Sequence, residues 1–197
     1  MKKILLLSIL TTFCFSQTEE WIYHNSLDGV SRVKPDGSEN ELLMGNVSIS
    51  DVSEDGNKLL LMGNPAPHTD TIYLINLESM DTLSITYVHE EYGPDQPSPL
   101  QPTLTYDENV ILFLNRESDG YESYNELWKY SFIDSSETVI ADWLDRNFGF
   151  ITLSPDKREV AVFKNYGDSV DVAIVDIQSG ETSILGTFGN LHNGCGF

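Results

Sequence analysis

The sequence is poor in cysteine, in basic residues and in long apolar runs, and each scarcity excludes a class of protein. Its two cysteines are Cys14 and Cys195, and because Cys14 lies in a segment that we expect to be removed, the rest of the chain cannot form an internal disulfide. Cys195 is therefore either buried or paired outside this chain. Eleven Lys and Arg face 31 Asp and Glu, for a net charge of −20, so the chain lacks the basic face that nucleic acids and anionic membranes require.

The one strongly apolar stretch lies at the amino terminus. Lys2 and Lys3 precede a short apolar run at 4–10, and small residues before Gln17 suit a signal-peptidase site. This pattern is typical of a secretory signal peptide over residues 1–16, too short for the ~20 residues of a membrane helix. We therefore predict an exported protein, periplasmic or extracellular, that is not inserted in a membrane.

Motifs that would carry catalysis or hold a cofactor are also missing. The sequence has no glycine-rich phosphate loop, no G-x-S-x-G, no H-E-x-x-H and no C-x-x-C, so we predict no catalytic, cofactor or metal residues. Two groups come nearest to a metal site: His89, Glu90, Glu91 and Asp95, and Asp119, Glu122 and Glu126. Neighbouring strand residues point to opposite faces and the second group does not match an EF-hand loop, so we interpret both as solvated loops.

What the sequence does contain is a run of short strands. Residues 151–185 alternate apolar segments with turns: 151–153, the turn at Ser154-Pro155-Asp156, 159–163, a polar turn, 170–177, another turn and 182–185. No window has the i, i+3, i+4 spacing of an amphipathic helix. Four short strands joined by tight turns predict an antiparallel meander.

The same pattern recurs along the chain. Residues 47–86 and 100–141 repeat it, and the acid of its first turn recurs at Asp55, Asp107 and Asp156, about 50 residues apart. A partial copy, without its first strand, covers residues 21–44. Recurrence in each copy favours a structural turn role, rather than a single active site, for Asp55, Gly56, Asp107, Pro155 and Asp156.

These repeats resemble the WD40-like β-propeller repeat of the TolB type (PD40-like repeats). Ser154-Pro155-Asp156 before an apolar strand, then Asp176 and the Gly180-Glu181 turn, match its usual form. The copy at Asp55 departs at the proline, and the copy at Asp107 keeps only the acid. The resemblance implies an all-β propeller of four-stranded blades, usually six or more. Members serve as binding scaffolds, as periplasmic accessory proteins, or as the non-catalytic domain of prolyl-oligopeptidase-type peptidases.

We therefore expect one β-propeller domain over residues 17–197. Its blades are predicted near 20–46, 47–88, 99–141 and 148–187, with the proline-rich stretch 87–102 as a linker unsuited to a central strand. Residues 188–197 are predicted to form the first strand of another blade. They either close a ring of four blades or begin a fifth, in which case the chain is a truncated larger propeller.

Two functional classes remain open. The first is an exported, non-catalytic propeller that binds a protein, peptide or glycan, with Tyr121, Tyr124 and Trp143 as a candidate aromatic recognition loop. The second is the amino-terminal propeller part of a secreted prolyl-oligopeptidase-type serine peptidase whose catalytic domain lies outside this chain. A G-x-S-x-G with later Asp and His beyond Phe197 would distinguish them.

Overall fold

The architecture is entirely β wherever the structure describes the chain. A computed structural model describes residues 21–64, 66, 68–88, 99–118, 123–144, 151–165 and 169–189. Within those ranges the strands are β1 (Ile22–Ser26), β2 (Gly29–Val33), β3 (Glu41–Gly45), β4 (Val47–Val52), β5 (Lys58–Gly63), β6 (Thr69–Asn76), β7 (Thr82–Val88), β8 (Pro99–Leu104), β9 (Val110–Ser118), β10 (Ser123–Ser131), β11 (Ser136–Leu144), β12 (Thr152–Leu153), β13 (Glu159–Asn165), β14 (Ser169–Asp176) and β15 (Thr182–Gly189). Nor do these ranges include a helix long and apolar enough to cross a membrane.

The strands form four consecutive antiparallel repeats. The first repeat is the three-stranded sheet β1–β3, and the second is the four-stranded sheet β4–β7. The third (β8–β11) and fourth (β12–β15) are four-stranded groups, joined into one sheet by the pairing of Leu144 with Lys164. The predicted all-β class of four-stranded antiparallel blades is thereby confirmed.

The chain divides into two compact units. One comprises Met1–Asn46, of which the first repeat is described, and the other comprises Val47–Phe197. In the first unit the β1–β2 hairpin reverses within two residues, and Gly29 at its exit has φ +143°. A Cβ at Gly29 would collide with the backbone oxygen of Met44, so the close approach of β2 and β3 requires glycine there.

Strand β9 shows why the apolar runs are continuous in the second unit. Successive strand residues point to opposite faces, and β9 buries both faces. Ile111 and Phe113, both fully buried, face the second repeat, whereas Leu112 and Leu114 face the fourth. A strand covered on both sides has no need for polar alternation.

Two apolar cores result from this arrangement. The core between the second and third repeats contains the buried residues Leu60, Ile72, Leu74, Leu104, Ile111, Phe113 and Tyr130. The core between the third and fourth repeats contains Leu112, Leu114, Leu127, Ala141, Val160, Val162, Ala173, Val175 and Ile177. Within the second unit, the second repeat thus packs face to face on the third, and the third on the fourth.

The proline-rich stretch contains more strand than we predicted. Tyr87 belongs to β7, and β8 begins at Pro99, before the predicted linker ends. Strand β8 tolerates Pro99 and Pro102 because it lies at the edge of its sheet and its pairing with β9 is irregular between Leu100 and Thr103. Both are positions where a missing N–H can be accommodated.

Candidate functional site

The first turn of each four-stranded repeat is built around a serine or threonine and an aspartate. In the second repeat, Ser53 Oγ donates to Asp55 Oδ1 at 2.7 Å, and the backbone N–H of Asn57 donates to the same oxygen at 2.9 Å. Ser53 Oγ in turn accepts from the N–H of Lys58 at 2.8 Å. Gly56 supplies φ +74° at the tip.

The fourth repeat reproduces this network with different residues. Ser154 Oγ donates to Asp156 Oδ1 at 2.7 Å and accepts from the N–H of Glu159 at 3.0 Å. Lys157 takes the place of Gly56 and adopts φ +54°, a conformation that L residues seldom adopt. Pro155 precedes Asp156 in the turn.

Hydrogen bonds lower the pKa of both turn acids. The Asn57 N–H and the Ser53 hydroxyl lower the pKa of Asp55 below its ordinary 3.8. The Ser154 hydroxyl and the Arg158 N–H lower the pKa of Asp156 in the same direction. Donors aimed at a carboxylate favour its ionised form.

The third repeat keeps the turn with a modified network. Asn109 N–H donates to Asp107 Oδ1 at 3.1 Å, but Thr105 Oγ1 donates to the backbone oxygen of Asp107 at 3.0 Å instead of to its carboxylate. The turn is closed by the bond from the Thr105 N–H to the Val110 oxygen at 3.1 Å.

A backbone hydrogen bond fastens each of these turns to the end of the third strand of its repeat. The bonds join the N–H of Leu77 to Asn57 O at 2.7 Å, that of Phe132 to Asn109 O at 2.9 Å and that of Ile177 to Arg158 O at 3.0 Å. The turns and the strand ends therefore form one rigid edge, which we call the turn end of the repeats.

Asp51 is a site residue that the sequence analysis missed. Its Oδ2 accepts from the hydroxyl of Thr103 at 2.7 Å and from the N–H of Leu104 at 2.8 Å, which links β4 to β8. The ammonium of Lys157 lies 4.0 Å from the same oxygen. One acid thus connects the second, third and fourth repeats. In the sequence, Asp51 is simply a polar residue of an alternating strand, and no local pattern distinguishes it from the other acidic residues.

Two lysines connect consecutive repeats at the turn end. Lys58 Nζ lies 3.6 Å from Glu108 Oε2 and 3.4 Å from Asn109 Oδ1, both on the third repeat. Lys129 Nζ donates to the backbone oxygen of Ile177, on the fourth repeat, at 3.1 Å. Both ammonium groups are held by neighbouring repeats, and each borders a cleft.

These clefts occur at corresponding places in consecutive repeats. The first, of about 220 Å³, is lined by Thr105, Tyr106, Asp107, Val110, Lys129, Ser131, Ser136, Ile177 and Gln178. The second, of about 440 Å³, is lined by Lys58, Leu74, Asn76, Ser79, Asp81, Thr82, Leu83 and Asn109. By strand register Lys58 corresponds to Val110, and Asn76 to Ser131. The two clefts are therefore one feature, repeated, with a hydroxyl- and amide-rich lining.

Two of the three residues predicted to form an aromatic recognition loop lie in strands. Tyr124 lies in β10 and Trp143 in β11, and the pairing of Asn125 with Leu144 places both at the same end of the third repeat. That end is opposite the turn end. Tyr121 lies outside the described residues. The two strands are longer than we predicted because the β9–β10 pairing continues to Ser118 and Ser123.

The groups weighed as metal sites are mostly outside the described residues. This applies to His89, Glu90, Glu91, Asp95, Asp119 and Glu122. Glu126 is described, and its Oε2 accepts from the indole N–H of Trp128 at 2.9 Å. The described part of the chain does not bring three or more His, Cys, Asp or Glu together as metal ligands. Cys195 is also outside it.

Comparison with known proteins identifies the architecture. No family model matches the chain, and no curated protein matches it. Among solved structures it is similar to TolB from Acinetobacter baumannii, with 19% identity and a TM-score of 0.51 over 84% of this chain and 40% of that one. It is also similar to an oligogalacturonate lyase in complex with manganese, with 9% identity and a TM-score of 0.62 over 85% of this chain and 50% of that one.

A third similar structure is the β-propeller domain of the Trilobed protease from Pyrococcus furiosus. It is 13% identical, with a TM-score of 0.53 over 80% of this chain and 48% of that domain. The chain spans about half or less of each of these three structures. At such identities the likeness is one of fold. The four repeats of this chain have the fold of β-propeller blades, as in TolB.

Proposed function

We propose that the chain is an exported, non-catalytic β-propeller that binds protein, peptide or glycan segments at the turn end of its repeats. The observation that supports this most directly is the recurrence of one cleft in consecutive repeats. A feature repeated along a rigid edge suits an extended ligand whose chemical groups also repeat. A single small substrate would use only one of the two clefts.

The lining of the clefts suits amide and hydroxyl groups. Ser131, Ser136 and Thr105 contribute hydroxyls to the smaller cleft, and Lys129 contributes a cation. Asn76 and Asn109 contribute amides to the larger one, and Lys58 contributes a cation from a different register position. Side chains able both to donate and to accept hydrogen bonds recognise peptide backbone and sugar hydroxyls equally well.

The net charge of the chain favours basic peptides as ligands over neutral or acidic ones. With a net charge of −20, the protein attracts cationic segments and repels acidic ones over about a Debye length. Binding of a basic peptide should therefore weaken as salt is raised. A neutral glycan carries no charge, and its binding would not respond to salt in this way.

Export is the part of the proposal that rests on residues 1–16. The basic start, the apolar run and the small residues before Gln17 have the form of a signal peptide. Amino-terminal sequencing of the protein recovered from outside the cytoplasm should begin at Gln17. A mature protein that retains Met1 would contradict the assignment.

The test of binding uses defined probes. We would incubate the purified protein with arrays of immobilised basic, neutral and acidic peptides and with a glycan array, at about 50 mM and about 500 mM salt. We expect retention by basic peptides at low salt, reduced several-fold by Asp81→Asn, which removes an exposed acid that lines the larger cleft.

Further variants distinguish the clefts from the aromatic end of the third repeat as the binding site. Ile133→Ala, at an exposed position in the β10–β11 turn, should leave retention unchanged. If Tyr121→Ala and Tyr124→Ala together abolish retention and Asp81→Asn does not reduce it, the aromatic end of the third repeat is the binding surface, as the sequence predicts. Lack of retention on every array would refute the binding proposal.

The alternative from the sequence is the propeller part of a secreted prolyl-oligopeptidase-type serine peptidase. It stays a prediction, because the similarities found are similarities of fold. Sequencing the coding DNA after the Phe197 codon tests it. A reading frame that continues to a G-x-S-x-G with later Asp and His would favour the peptidase.

A further inference from the structure

Both clefts lie at the turn end of the second unit, where the connections between strands belong to the described residues. These connections are 53–57, 77–81, 105–109, 132–135, 154–158 and 178–181. The residues that line the two clefts belong to the second, third and fourth repeats, all within that unit. The linings of the two clefts can therefore be compared position by position.

One shared position carries an acid in the larger cleft and a hydroxyl in the smaller one. The N–H of Asn76 donates to the backbone oxygen of Asp81 at 2.9 Å, and Ser131 pairs with Ser136 in the same way. Asp81 and Ser136 are therefore equivalent in their repeats. Asp81 is exposed, so the larger cleft can receive a cationic group at the position where the smaller cleft offers a neutral one.

Other charged groups in the clefts already have partners within the chain. Lys58 pairs with Glu108 at 3.6 Å, and Lys129 donates to a backbone oxygen at 3.1 Å. The carboxylate of Asp107 accepts from a backbone N–H at 3.1 Å. Hydrogen bonds between a cation and a carboxylate are among the strong ones. The exposed Asp81 is therefore the acid best placed to receive a cation from a ligand.

The smaller cleft has an aromatic wall, and the lining of the larger one does not include an aromatic residue. Tyr106 forms this wall and is 43% exposed. The guanidinium of Arg158 lies 4.6 Å from the centre of its ring, and the N–H of Tyr106 donates to Lys157 O at 3.2 Å. Both the ring and the backbone are thus held by the fourth repeat. An exposed ring fixed in this way suits contact with another aromatic side chain.

The distance between repeats indicates which peptide can reach both clefts. Sheets that pack face to face lie about 10 Å apart, so equivalent positions in consecutive repeats are separated by about that distance. A polyproline II segment has three residues per turn and rises about 3.1 Å per residue. Side chains three residues apart then project from the same side of the segment, about 9 Å from one another. In an extended strand the same two side chains would point to opposite sides.

We propose that the turn end binds a peptide segment in the polyproline II conformation, with a Lys or Arg side chain beside Asp81 and an aromatic side chain, three residues away, beside Tyr106. The backbone of such a segment makes no internal hydrogen bonds, so its N–H and C=O groups can bond to the hydroxyls and amides of the clefts. This inference rests on the proposed function and names the ligand class, its conformation and two residues that determine specificity.

The test measures binding of labelled peptides to the full chain by fluorescence anisotropy at about 50 mM salt. The probes contain Lys and Phe separated by two prolines, in either order, between short Gly-Ser flanks. Companion peptides separate Lys and Phe by one or by three prolines. We expect one of the two probes to bind several-fold more tightly than every companion, because only a separation of three residues places both side chains on one side of the segment.

Two variants assign the two side chains of the ligand. Asp81→Asn should weaken binding of the probe several-fold and leave unchanged the binding of a peptide with Met in place of Lys. Tyr106→Leu should weaken binding of the probe and leave unchanged the binding of a peptide with Ala in place of Phe. Tyr106→Phe keeps the ring and should retain binding. Circular dichroism melts check that each variant remains folded.

The matched control is Glu181→Gln. Glu181 is exposed and holds in the fourth repeat the position of Asp81, since its backbone oxygen accepts from the N–H of Asp176 at 2.9 Å. It does not line either of the two clefts, so its variant should bind the probe as the parent does. An equal loss in Glu181→Gln and Asp81→Asn would overturn the inference, because net charge alone would then explain both.

The remaining outcomes separate this inference from the proposed function. If basic peptides bind and require Asp81, but bind equally at every separation or are indifferent to Tyr106→Leu, only the inference is overturned. If no peptide binds, or if Asp81→Asn has no effect on those that do, the turn end is not a peptide site, and the proposed function and the inference are both refuted.

Discussion

At the residue scale, the turn aspartates have the most defined role. Asp55 accepts hydrogen bonds from the Ser53 hydroxyl, the Asn57 N–H and the Asn57 side-chain amide. Asp156 accepts from the Ser154 hydroxyl and the Arg158 N–H. Short side chains that bond to backbone donors two residues on fix tight turns. The aspartates thus set the register in which the following strands enter their sheets.

Replacing Asp55 by alanine should lower the thermal unfolding midpoint, because two backbone or amide donors and one hydroxyl lose their acceptor. Asp55→Asn should lose less, since an amide oxygen can still accept. Glu54→Ala, an exposed acid in the same turn, is the matched control. A melt of Asp55→Ala identical to that of Glu54→Ala would contradict the turn role.

The same aspartate predicts a pH dependence with a definite sign. The pKa of Asp55 is lowered in the folded chain, so its stabilising contribution is fully present above the unfolded value of about 3.8 and is lost as pH falls through the lower folded pKa. The difference in melting temperature between the parent and Asp55→Ala should therefore be constant above about pH 5 and shrink below pH 3.8. A difference that grows on acidification would contradict this linkage.

At the element scale, β9 is the strand that the neighbouring repeats share. Phe113 packs in the core between the second and third repeats, 5.6 Å from the ring of Tyr87 and 6.3 Å from that of Trp128. Tyr87 also donates its hydroxyl to Glu137 at 2.7 Å, and burial together with this bond raises the pKa of the phenol. The core around Phe113 therefore combines apolar burial with a hydrogen bond that links β7 to β11.

Phe113→Ala should destabilise the chain by about 3–5 kcal/mol, the range for a large buried aromatic truncated to alanine. The reason is loss of apolar burial together with the cavity left between two repeats. Urea unfolding followed by circular dichroism measures it. Ile133→Ala, at a position 72% exposed, should stay within about 0.5 kcal/mol of the parent. Equal effects of the two changes would refute the assigned core.

At the scale of the whole molecule, the chain consists of two compact units. The second unit, residues 47–197, contains both apolar cores and the three complete repeats. A unit that buries its own core can fold without the rest of the chain.

A variant that begins at Val47 should therefore fold cooperatively, with a β-type circular dichroism spectrum and a single urea transition. The full chain measured in parallel provides the reference. A truncated variant without a cooperative transition would show that the first repeat is required for folding of the second unit.

The sequence by itself determined the β class, the period of the repeats and the position of each Asp turn. These depend on local chemistry: alternating apolar residues, Ser-Pro-Asp or Ser-x-Asp-Gly turns and glycine at positive φ. The sequence did not determine the backbone conformation of every residue in these turns. Met80 and Lys157, with φ +60° and +54°, occupy positions that Gly180 and Gly56 fill elsewhere, and nothing in the side chains of Met80 and Lys157 indicates a turn.

Only the tertiary structure determined which sheet faces pack against one another. Asp51 is one acid among 31 Asp and Glu in the sequence, and it becomes a junction because β4, β8 and the Lys157 turn converge on it. The clefts at the turn end exist only through the stacking of one repeat on the next. Contacts between strands about 50 residues apart depend on the whole arrangement of sheets, whereas a turn depends on four or five neighbours in the chain.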